Sequence, residues 1–273
     1  MSNKLAFSLA WEFIKGNWKL TIITIIIEIA LMVLGFIPVI GVIFSLLVGL
    51  VVFNEQIYFG KLVLNIRDTE GIRQAAQKTE LMDFLFKYFN ISLGTYLGSL
   101  IIFLILGILV FIPMSVGIST DIYGNPHINA IGILGFLVFA IVLSMLGYIY
   151  PAVMGEIIKS ETFGEAFKKV FLLFNMTLWK KSFNKHYFVF TFLWFLIVLG
   201  MVIVSELLIM TVILLPVGML GMYFMGLYNG AAFVFASEII ESAPQKVQED
   251  NSQTEESQDS KEEEKPQNEN EEN

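Results

Sequence analysis

Glu28 and Glu206 are each the one charged residue of a long apolar stretch, and each stands ten residues ahead of a proline, Pro38 and Pro216. Placing an ionised carboxylate at the centre of a membrane helix costs about 2.5 to 3.5 kcal/mol, so such a group faces the bundle interior, is protonated or finds a partner. Two kinds of chemistry suit that setting. The acids can line an interior path in which protonation or cation binding drives movement, or each can be a neutral hydrogen-bonding group that holds helices together. The surrounding residues make the two stretches look like copies. Met32 corresponds to Met210, and Val39 after the first proline corresponds to Val217 after the second. Residues 103–113 end on Pro113 in the same way but carry no acid.

The elements that position these acids follow from hydropathy. The chain of 273 residues is 56% hydrophobic and 15% charged, with a mean hydropathy of +0.71, a composition that belongs to membrane proteins. Apolar runs predict six spans near residues 20–36, 39–59, 91–111, 131–151, 187–215 and 217–235, the fourth continuing toward Ile158. Glu28 then lies about 13 to 15 Å from either end of its helix at ~1.5 Å rise per residue. Pro38, Pro113 and Pro216 read as hairpin turns, since proline suits the first turn of a new helix. Each hairpin follows an aromatic, amphipathic elbow at residues 5–14, 81–89 and 162–179, which suits the membrane interface. Gly16-Asn17 ends the first elbow, and Gly124-Asn125-Pro126 marks a turn between spans three and four. The fold class expected is an all-α polytopic membrane bundle of six transmembrane helices in three elbow-plus-hairpin repeats.

Charge supplies the orientation. Residues 243–273 hold 11 Asp and Glu against 3 Lys, so residues 1–242 keep 14 acids and 14 bases and the tail accounts for the net charge of −8. All 14 bases of the body fall in the N-terminal segment, the 61–87 loop or the 159–185 loop. The positive-inside rule therefore predicts cytoplasmic N- and C-termini in a bacterial plasma membrane. The acidic tail has too little apolar surface to fold alone, so a disordered end is expected, with a basic cytoplasmic partner as its alternative use. Residues 1–19 are amphipathic and show no secretory signal.

Further polar residues are Asn54, Glu55 and Gln56 in span two and Asn229 in span six. They extend a polar path toward the cytoplasm, or Glu55 sits at the inner interface beside Lys61, as Glu156 and Glu238 do at matching helix ends. Gly94-xxx-Gly98 and Gly226-xxx-Gly230 are patterns that let helices approach closely. Lysines on the elbows suit anionic lipid headgroups, or the elbows simply anchor the bundle. With no cysteine in the chain, thiol nucleophiles and disulfides are excluded. His127 and His186 fall on opposite sides of the bilayer and cannot share a metal. No metalloprotease, nucleotide-binding or serine-hydrolase motif is present, so no cofactor, nucleic-acid partner or enzyme activity is expected.

The elbow motifs Phe7-x-x-Ala10-Trp11 and Phe163-x-x-Ala166-Phe167, with the proline hairpins, carry a resemblance over residues 5–240 to uncharacterised six-helix integral membrane proteins of bacteria and archaea, the YciC-like and glycerophosphodiesterase-membrane-domain groups. The resemblance implies a plasma-membrane helical bundle and assigns no catalytic residue. The expected role is a structural or accessory membrane protein, with transport of a small solute or ion, coupled to protonation of Glu28 and Glu206, as the alternative.

Overall fold

The first helix, α1 (Asn3–Gly16), begins at Ser2, whose hydroxyl accepts from the Leu5 backbone N–H. It repeats buried residues at Ala6, Leu9, Ala10, Phe13 and Ile14, the i, i+3, i+4, i+7, i+8 pattern of a one-sided helix. Gly16 lies against the backbone of Arg73 in α4 (Thr69–Lys78). Asn17 then ends α1 and opens α2 (Trp18–Gly35): its side-chain oxygen accepts from Leu20 N, and its amide donates to Ala76 O at 2.9 Å and Thr79 O at 3.2 Å. One asparagine thus fixes three helices. The first elbow is therefore protein core on one face, and residues 61–80 hold the end of a spanning helix and a helix of their own where a cytoplasmic loop was expected.

The computed structural model describes residues 2–120, 126–211 and 213–243, and for residues 110–120, 126–128 and 131 it describes the backbone alone. The expectations for the acidic tail at 244–273, for His127 and for the Gly124-Asn125 turn lie outside the described residues or side chains. Within them the chain is an all-α bundle with six helices long and apolar enough to cross a membrane. After α2 come α3 (Gly41–Asn65), α4 and the short α5 (Leu81–Phe86). Then follow α6 (Phe89–Gly117), a two-stranded ribbon of β1 (Ile118–Thr120) and β2 (Pro126–Ile128), and α7 (Ala130–Ile158). The third unit is α8 (Phe163–Val170), a single 3₁₀ turn, α9 (Met176–Ser182), α10 (Lys185–Met210) and α11 (Leu215–Glu241).

The prolines divide. Pro38 lies in the tight turn between α2 and α3, where Val39 adopts φ 70°, a strained value for a β-branched residue. Pro216 is the second residue of α11. Pro113 is not a hairpin turn: α6 continues past it to Gly117, and the ribbon reverses the chain. Proline is tolerated inside membrane helices because neighbouring groups satisfy the freed carbonyl, and Pro151 likewise lies within α7. A proline alone therefore does not mark a turn here. The fifth span ends at Met210, short of the expected Leu215.

The column of the bundle is α11, with 78% of its spanning window buried against 11 to 39% for the other five. It packs against α10, α7 and α3, and α1 closes over it. Small residues set the approach. Gly60 and Gly230 face each other across α3 and α11, and Gly155 lies against the backbone of Phe233. Gly94 and Gly98 accept α8, so that pattern serves packing within one chain, whereas of Gly226 and Gly230 only Gly230 is pressed against another helix. The two elbow motifs adopt matching burial: Ala10 and Ala166 are fully buried while Phe7 and Phe163 remain exposed.

The charged end is stitched by ion pairs. Lys61 reaches Glu161 at 2.8 Å, Arg67 pairs with Glu238, and Lys159 joins Glu156 and Glu241 at 2.8 and 2.7 Å. Burial opposes the Lys159 charge, but the bonds from Glu156 and Glu241 prevail and hold its pKa above the ordinary lysine value. The Lys169 hydrogen bond holds the exposed Glu165 carboxyl below the usual carboxylate range, helped by the Glu161 backbone N–H.

Candidate functional site

On α2 the residues Thr21, Thr24 and Glu28 recur at i, i+3 and i+7, which places them on one helical face. All three are buried, Glu28 with 4% exposure. That stripe meets Glu55 of α3, 1% exposed, and Tyr223 of α11, 1% exposed. Glu28 is ten residues after Trp18 at the start of α2 and Glu55 is ten before Asn65 at the end of α3. Since α2 and α3 form an antiparallel hairpin, the two carboxyls share a depth of about 15 Å from the charged end at ~1.5 Å per residue. Glu55 and Glu28 act on each other electrostatically, and both act on Tyr223, beside which Thr21 lies. Among the described residues, Glu55 Oε1 and Thr24 Oγ1 are buried without a hydrogen-bond partner, and the Tyr223 hydroxyl has only that of Thr21 within reach.

Glu206 is elsewhere. It is exposed on the outer face of α10, four residues before the helix ends at Met210. Its neighbour Ser205 is the inward residue, packed against Gly218 and Gly221 of α11. The next residue on a helix points about 100° away, so this crossing turns Glu206 outward, within about 6 Å of its helix end. The expected pair Glu28 and Glu206 is therefore not brought together. Of the two readings for Glu55, the interfacial one beside Lys61 does not hold, because Glu55 is buried on the Glu28 side of the bundle while Lys61 pairs with Glu161.

The remaining polar candidates are fasteners. Asn54 donates to Phe84 O at 2.5 Å and accepts from Ser92 Oγ at 3.2 Å, fixing α3 to α5 and α6. Asn229 accepts from Trp194 Nε1 at 2.9 Å and ties α11 to α10. Gln56 is largely buried, and its backbone carbonyl abuts Gly230. His186 is exposed. Among the described residues, no group of three or more His, Cys, Asp or Glu could hold a metal ion.

No family model, curated protein or solved structure matches the chain. The site is thus read from its own geometry. The signal that sequence reasoning passed over is the Thr21-x-x-Thr24-x-x-x-Glu28 stripe, a row of polar residues along one spanning helix.

A cavity of about 650 Å³ opens between α6, α7 and α10. Its rim includes Phe103, Leu143, Phe188 and Phe192, all exposed, and its wall carries the hydroxyls of Ser99, Ser144 and Thr191. Gly147 at its wall has nothing within 4 Å of its missing side chain.

Proposed function

We propose that this chain is a multi-pass protein of a bacterial plasma membrane, with N- and C-termini in the cytoplasm, that serves as a structural or accessory component and catalyses no reaction. The observation that carries the reading is the placement of charge. The bases of the body gather at the end where α1, α4, α5, α8 and α9 lie, and the opposite helix ends and turns carry none. Retention of Lys and Arg on the cytoplasmic side is the strongest sequence determinant of membrane orientation. Most intramembrane polar groups are spent on packing, as Asn54 and Asn229 illustrate. Kinship with the YciC-like and glycerophosphodiesterase-membrane-domain groups rests on the sequence of the two elbow motifs and the proline hairpins. Lysines on α8 and α9 make anionic lipid headgroups natural partners at the inner face, and the acidic tail suits a basic cytoplasmic partner. Transport of a small solute or ion, the alternative role, would run without Glu206 as a partner and would centre on Glu28 and Glu55.

The absence of cysteine makes orientation directly measurable. Val39→Cys in the α2–α3 turn and Lys78→Cys at the end of α4 are both exposed positions. A membrane-impermeant maleimide applied to intact cells labels Val39→Cys, and labels Lys78→Cys only after the membrane is opened. The reverse pattern rejects the orientation and with it the cytoplasmic assignment of the termini.

A further inference from the structure

Two carboxyls buried at one depth by three helices leave a shortage of positive charge. Among the described residues, no lysine, arginine or histidine acts on Glu28 or Glu55; what acts on Glu55 is Glu28. An isolated ionised acid at the helix centre is already costly, and a second one beside it adds repulsion. Packing glue would resolve this by pairing the polar atoms with one another. Instead, Glu55 Oε1 and Thr24 Oγ1 are each buried and left without a partner among the described residues, a costly state for a desolvated polar atom, and the Tyr223 hydroxyl beside them has only Thr21 within reach. The space beside them is open. A side chain at Gly226, one turn beyond Tyr223, would meet nothing closer than Glu55 Oε2 at 3.9 Å, whereas at Gly230 it would meet α3 backbone at 2.5 Å.

The donors are carboxylate and hydroxyl oxygens alone, a set for hard cations. Calcium takes 6–8 oxygens and magnesium near-ideal octahedral coordination; with two acids and no third among the described residues, this site suits neither. We propose that Glu28, Glu55, Tyr223 and Thr24 form an intramembrane binding site for one monovalent cation, sodium or a proton, held between α2, α3 and α11. The site stands whether the chain is an accessory protein or a transporter. Its surroundings add no competing charge. Thr21 completes the α2 face, and α5 presents Phe84 to the Tyr223 ring at 6.2 Å. On α1, Glu12 and Lys15 pair with each other, and Lys61 of α3 is engaged by Glu161.

The test is thermal unfolding of the full chain in nanodiscs of neutral lipid, with choline replaced stepwise by sodium at constant ionic strength, repeated across pH. A ligand bound only by the folded state raises Tm with its concentration. Wild-type protein whose Tm climbs with sodium, a response absent from Glu28→Gln and Glu55→Gln, identifies the alkali cation. A Tm that falls as pH rises regardless of sodium, and is flat in both glutamine variants, identifies the proton. Tyr223→Phe separates binding from packing. Removing a hydroxyl that only packs leaves any cation response intact whatever it does to the basal Tm, whereas removing a ligand weakens the apparent affinity by about tenfold. A wild-type Tm indifferent to sodium and pH, or a response that survives both glutamine substitutions, overturns the site. If the glutamine variants do not fold, an unchanged cation response in Tyr223→Phe overturns it equally.

Discussion

Replacing Gly230 by alanine tests whether α11 is held at a fixed distance from α3. The added methyl would lie 2.5 Å from the Gln56 carbonyl oxygen, 3.3 Å from its carbon and 3.2 Å from the Gly60 nitrogen. These are backbone atoms of a spanning helix, so no side-chain rotation relieves the overlap and the helices must part. Retreat is resisted by α1 and α10, to which Tyr228 and Asn229 of α11 are hydrogen-bonded through Asn3 and Trp194. Gly226→Ala on the same helix is the control, since its methyl meets only Glu55 Oε2 at 3.9 Å. Both changes gain about 1 kcal/mol of helix propensity, which cancels in the difference. What remains is overpacking, about 1 to 3 kcal/mol. Unfolding in mixed micelles titrated with sodium dodecyl sulfate and followed by circular dichroism measures it. Gly230→Ala is expected to be the less stable of the two by that amount. Equal stability within about 0.5 kcal/mol would refute the claim that glycine sets this crossing.

Leu9→Ala, at a fully buried position of α1, is expected to cost about 2 to 5 kcal/mol in the same titration; a helix resting on lipid alone would lose far less. Glu206→Leu, on the outer face of α10, is expected to leave stability within about 0.5 kcal/mol of wild type. A large loss there would mean that Glu206 faces the interior after all.

Hydropathy revealed the spans because a bilayer forces nearly every residue of a crossing helix to be apolar, and that requirement does not depend on neighbours. The Pro38 and Pro216 turns were legible for the same local reason. Pro113 was not, because whether a proline starts a helix or sits inside one depends on what satisfies the carbonyl it frees. The candidate site was half legible. Burial of Glu28 follows from its isolation in an apolar helix, but the identity of its companion depends on how helices rotate. Ser205 packing on Gly218 and Gly221 turned Glu206 away, and the α3–α11 crossing at Gly60 and Gly230 turned Glu55 in. Helix rotation is set by small residues on partner helices distant in sequence, and a linear reading of one helix carries none of that information.

Among the described spanning helices the most enclosed, α11, is also the last in sequence. The Asn3 amide donates to Phe190 O at 3.0 Å and its carbonyl accepts from Tyr228 at 2.8 Å, so the two extremes of the bundle fasten to each other. During synthesis the earlier helices enter the lipid before the post around which they close has been made. Their inward faces, Gly60, Gly155 and Glu55 among them, must stay available until the ribosome delivers the final segment. A nascent chain cut before Leu215 is a ring without its axle, lacking the helix on which α3, α7 and α10 pack, so the packing of the described bundle is completed late in synthesis.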